Sequence, residues 1–128
     1  MFPSVILKEI AWAFNNQVYT SSEEFNQEVK QYQLDIFEED RWQPESVVLN
    51  NPRFLMEYEF WTDEGDERVE TVEINSNNGR FTAGEMLFKI HNLLAEKELS
   101  DHHFFEGLNY SEEAGSADLP KYELRLGS

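Results

Sequence analysis

Three histidines and an abundance of carboxylates are the side chains in this sequence whose types and spacing could do chemistry. His102 and His103 directly follow Asp101, and His91 precedes them by about one helix length, a donor set of the kind that binds zinc. Adjacent strand residues point to opposite faces, so His102 and His103 can share one ion only across a bend. Glu57 with Glu59, or Glu59 with Glu70, has the composition of a glycosidase acid/base pair, a chemistry that also needs one carboxyl buried beside a substrate cleft. Among 26 acidic residues such pairs arise by chance. Serine, histidine and aspartate occur without a nucleophile elbow, the glycines form no phosphate-binding motif, and Asp63-Glu64-Gly65-Asp66-Glu67 departs from the calcium-loop pattern. The sequence assigns no catalytic residue, cofactor or metal.

Charge is the more informative property. Against the 26 acidic residues stand 10 basic ones, a formal net charge of −16, well beyond what solubility asks of a small domain. Phosphate contacts are made by Lys and Arg, which are few and scattered here, so nucleic acid and anionic membrane surfaces are disfavoured as partners. A basic protein is the natural complement, and such complementarity speeds encounter to on the order of 10⁸–10⁹ M⁻¹ s⁻¹ at low salt. The acids are densest around one predicted hairpin, where Glu57, Glu59, Asp63, Glu64, Asp66, Glu67, Glu70 and Glu73 face only Arg68. Trp61 stands beside them as an aromatic anchor. A second run, Glu38, Glu39 and Asp40, has Trp42 in the same position. Tyr58 and Tyr110 are further aromatic candidates, Tyr58 belonging to the core face. A solvated single-sign surface would use the same residues as a docking surface.

The elements that must position these groups can be read from periodicity. Phe54, Met56, Tyr58 and Phe60 share one strand face, and Val72 and Ile74 belong to the returning arm. An odd-numbered loop of residues 63–67 sets Met56 opposite Ile74, Tyr58 opposite Val72 and Glu57 opposite Glu73. Even spacing of Ile6, Ile10, Trp12, Phe14 and Val18 predicts a first strand within residues 4–19. Ser21 with Glu24 opens a helix that should end near Leu34, and Thr82 with Glu85 opens a second through Leu99. Residues 35–45 read as an acidic loop and 46–49 as a short strand. Residues 103–110 and 122–126 read as two strands joined by a mobile loop, 111–120. The expected fold is a single α+β domain, a mainly antiparallel sheet with two helices packed on one face.

One domain of 128 residues buries roughly two-thirds of its unfolded surface, and ten Phe, five Tyr and three Trp supply the interior. Without cysteine there are no disulfides and no thiolate chemistry. The apolar N-terminal run lacks a basic leader and no stretch is long enough to span a membrane, so the cytoplasm is the expected location.

Single-domain size, a net charge of −16, no cysteine, an aromatic-rich α+β pattern, the helix FTAGEMLFKIHNLL, then DHHFFEGL and YELRLGS together carry a resemblance. In type, the chain resembles the small acidic immunity proteins with which bacteria neutralise their own polymorphic or contact-dependent toxins. The resemblance implies tight binding to a basic toxin domain, often a nuclease, whose active site is covered with acidic groups. Two rival expectations are a nucleic-acid mimic or regulatory adaptor that binds a basic protein, and a small enzyme using carboxylates or His91, His102 and His103.

Overall fold

Two helix caps predicted from local sequence organise the α layer. The Ser21 hydroxyl accepts the Glu24 N–H at 3.2 Å and starts α1 (Ser22–Phe37), and the Thr82 hydroxyl accepts the Glu85 N–H at 3.2 Å and starts α2 (Ala83–Leu94). These bonds belong to a computed structural model that describes residues 2–99, 102–116 and 118–127, with 113–116 described by backbone alone. α1 runs three residues beyond the expected end because the Arg41 guanidinium covers the Phe37 ring at 3.8 Å and Glu38, in the left-handed conformation, donates its N–H to the Leu34 carbonyl. α2 stops five residues short of Leu99, since the Glu98 carbonyl turns away to accept the Trp61 N–H at 2.7 Å.

The strands are β1 (Val5–Ile6), β2 (Val47–Leu49), β3 (Arg53–Trp61), β4 (Glu67–Asn75), β5 (Phe81–Thr82), β6 (Phe104–Ser116) and β7 (Leu119–Gly127). Five form one sheet in the order β1-β6-β7-β3-β4, and β2 pairs with β5 in a small second sheet. The expected α+β architecture is present. All pairings are antiparallel except β3 with β7, which lie parallel. Phe54, Met56, Tyr58, Leu108 and Tyr122 face the helices, where Phe25, Val29, Met86, Leu87 and Ile90 complete a closely packed aromatic core.

Two sequence expectations are corrected. The segment predicted as a first strand puts Ile6, Ile10, Trp12 and Phe14 inside as the spacing requires, but it forms strand only at β1 and one bridge, Ala13 to Phe104, and leaves Val18 exposed. Side-chain amides replace the missing ladder. Gln33 accepts the Ala11 N–H and donates to the Ala11 carbonyl, and Asn92 does the same for Tyr19. The 111–120 stretch is not a free loop, because β6 and β7 extend into it as far as the Ser116–Leu119 pair. Within β6 the register slips between Phe105 and Leu108, so Phe105 and Leu108 both point inward although they are three residues apart. Gly107 permits the slip. Its φ is 96°, and a Cβ there would lie 3.0 Å from the Ile6 carbonyl oxygen and the Lys8 Cα.

Candidate binding surface

The hairpin register decides which acids share a surface. Phe54 pairs with Ile74, Met56 with Val72, Tyr58 with Glu70 and Phe60 with Arg68, on the side facing the helices. The loop is odd-numbered as expected, but the register is two residues from the expected one, and Glu57 faces Thr71 in place of Glu73. The turn causes the shift. Thr62 donates its N–H to the Asp66 carbonyl at 2.9 Å, its hydroxyl accepts the Asp66 N–H, and Gly65 takes φ 85°, so the loop is residues 62–66.

Paired strand residues project to the same side, so Glu57, Glu59 and Trp61 stand with Glu67, Val69, Thr71 and Glu73 on the face away from the helices. Glu70 stands on the other side. There it accepts the Tyr58 hydroxyl at 2.6 Å and lies 3.9 Å from the Lys97 ammonium. Burial and this bond to a carboxylate push the Tyr58 phenol well above its ordinary range. Glu59 and Glu70 are thus separated by the sheet and make no acid/base pair, and Glu70 leaves the predicted cluster. Glu57 is engaged by Lys121 at 3.1 Å.

Asp63, Glu64, Asp66 and Glu67 remain exposed at the tip, with Glu59 on the adjoining sheet face. Trp61 is half-buried, edge-on to the His102 ring at 5.5 Å, and lines a cavity of about 250 Å³ with Glu59, His102, Arg125 and Leu126. Arg125 also borders a larger cleft of about 520 Å³ that includes Lys8, Phe37, Arg41 and Glu106. These three cations are distant in sequence and no local signal announces their grouping.

The second acidic run is differently built. Glu38 caps α1, Glu39 binds Arg41 at 2.6 Å, and Asp40 lies 3.8 Å from Lys30 while accepting the Trp42 N–H. Trp42 is buried and its indole N–H donates to the Asn26 side chain at 3.2 Å, so it is a core residue and not a surface anchor. Glu38, Glu39 and Asp40 are exposed, and Glu39 and Asp40 are partly neutralised.

The histidines do not converge. His91 is buried against Trp12, Phe14, Tyr19 and Phe25, with Nδ1 accepting the Trp12 indole N–H at 3.0 Å and Nε2 at 2.7 Å from the Gln17 carbonyl. Both nitrogens are committed, so this ring is no metal ligand, and burial holds its pKa below the ordinary histidine value. His102 packs on Trp61 and His103 on Phe104, while Asp101 lies outside the described residues. Among the described residues no group of three or more His, Cys, Asp or Glu is placed to hold a metal ion, and no helix is long and apolar enough to cross a membrane. Comparison with family models, curated proteins and solved structures yields no match.

Proposed function

We propose that the chain is an immunity-type inhibitor that acts in the cytoplasm, binding a basic toxin domain, of which a nuclease is the leading kind, through the open sheet face and hairpin tip. The observation carrying this reading is that both helices cover one side of the sheet and leave Glu59, Trp61, Asp63, Glu64, Asp66 and Glu67 on a preformed acidic surface. The strands hold Glu59, Trp61 and Glu67, the Thr62–Asp66 hydrogen bonds close the turn that carries Asp63, Glu64 and Asp66, and Trp61 offers an aromatic contact inside a charged rim. Acidic groups set against a nuclease's phosphate-binding cations would exclude its substrate by occupying the same charges.

The test begins with a basic partner retained from source lysate at low salt and identified by mass. Reversing Asp63, Glu64, Asp66 and Glu67 to Lys is expected to weaken its binding roughly tenfold or more and to flatten the salt dependence, with the circular dichroism spectrum unchanged. Unchanged affinity and salt dependence in the reversed chain would remove the tip from the interface. Trp61→Ala should weaken binding without altering the salt dependence.

A further inference from the structure

We propose that β4 is a docking edge onto which an extended, lysine- or arginine-bearing segment of the basic partner adds as a further strand. This rests on the reading of the acidic surface given above and specifies how the partner is held.

β4 ends the five-stranded sheet, and among the described residues no strand lies beyond it. Its register with β3 is continuous over all nine residues, with neither bulge nor proline. At the other edge β1 is only two residues long. Long, open edges are ordinarily blunted by shortness, proline, bulges or inward charges, because their free backbone groups invite another strand.

The hairpin geometry identifies those free groups. Thr62 donates to the Asp66 carbonyl, and at the far end Ser76 donates to the Pro52 carbonyl, so the even-numbered residues of β4 exchange hydrogen bonds with β3. The N–H and C=O of Glu67, Val69, Thr71 and Glu73 therefore point away from the sheet. Their side chains stand on the open acidic face, and Val69 is 57 % exposed there.

What protects this edge is negative charge, which is selective. In a twofold pairing centred on residue 70, a second copy would set Glu70 against Glu70 and Glu67 against Glu73. An added strand bearing cations meets an open carboxylate at Glu67, meets Glu70 and Glu73 with Lys97 and Arg53 already 3.9 and 3.7 Å from them, and finds Val69 for an apolar contact. Main-chain bonds would then supply affinity and the glutamates the preference for a basic strand.

The experiment uses the ¹⁵N-labelled full chain and a capped nine-residue peptide alternating Lys and Val, beside the same peptide methylated at every backbone amide. The unmodified peptide is expected to slow amide exchange at Glu67, Val69, Thr71 and Glu73 by roughly tenfold or more, and the methylated one to lose both binding and protection. Thr71→Pro removes one outward donor, spares the β3 ladder as edge strands allow, and should weaken the peptide similarly. Equal binding by both peptides without amide protection overturns the docking edge while leaving the acidic-surface reading intact. If neither peptide binds, both fall. Unchanged peptide affinity in Thr71→Pro also overturns the inference, as would a dimer of the free chain with these amides already protected, which would assign the edge to a second copy.

Discussion

His91 makes the interior of this protein sensitive to acid. Trp12 Nε1 is a donor only, so the Nδ1 it addresses must be unprotonated and Nε2 must carry the hydrogen given to Gln17. Protonation would set two N–H groups against each other in a site closed to water. The sign follows from burial: the folded-state pKa lies below the unfolded value of 6.5, so the contribution is complete above pH 6.5 and is lost as pH falls below it. For one proton the loss between pH 7.5 and 5.5 is at most about 1.4 kcal/mol. Carboxylates titrate nearby, and relief of repulsion in a chain of net charge −16 works in the opposite direction, so the parent alone is ambiguous. His91→Phe keeps the ring shape and removes the titration, leaving the buried Trp12 N–H unpaired at about 1–3 kcal/mol, while the carbonyl of the exposed Gln17 loses its partner at lower cost. Urea unfolding followed by tryptophan fluorescence should show the parent more stable at pH 7.5, with the gap narrowing by up to about 1.4 kcal/mol at pH 5.5. A gap that stays constant, or a His91 ring signal that titrates near 6.5, would refute a neutral buried imidazole.

Three further outcomes are expected. Gly107→Ala should destabilise the fold by more than about 1 kcal/mol in thermal or urea unfolding, because the residue holds φ 96° against the backbone of Ile6 and Lys8. Trp42→Phe should cost about 1–2 kcal/mol through the lost Asn26 bond and indole volume, and should leave partner affinity unchanged, since this side chain is buried. Tyr58→Phe should cost about 1 kcal/mol at neutral pH by removing the bond to Glu70, as measured by urea midpoint.

What was legible in the sequence was local. Ser21 with Glu24 and Thr82 with Glu85 announce both helices because a cap acts over three residues, and the alternation of Phe54, Met56 and Tyr58 names its buried face. The hairpin register escaped because a slip of two residues preserves every face. Val72 and Ile74 are equally acceptable opposite Met56, and the Thr62 and Gly65 turn decides between them. Glu59 and Glu70 lie on opposite faces in either register, because an odd loop pairs odd residues with odd and even with even. Trp42 was misplaced because its partner, Asn26, lies on another element, and polarity around a tryptophan says nothing of its burial. Gln33 and Asn92 as backbone partners for residues 11 and 19 were equally invisible, since an amide on a helix ordinarily faces water.

The place of β7 has a consequence for how the chain is made. It follows the other four strands of its sheet in chain order, yet it fills the gap between β6 and β3, and its Tyr122 hydroxyl reaches back to the Pro3 carbonyl at 2.7 Å. Until it leaves the ribosome, the β3–β4 hairpin and the β1–β6 pair are separate pieces, each with an apolar face uncovered. Completion therefore waits on a parallel, long-range pairing of the slow kind, and the acids on β4 repel neighbouring nascent chains during that interval.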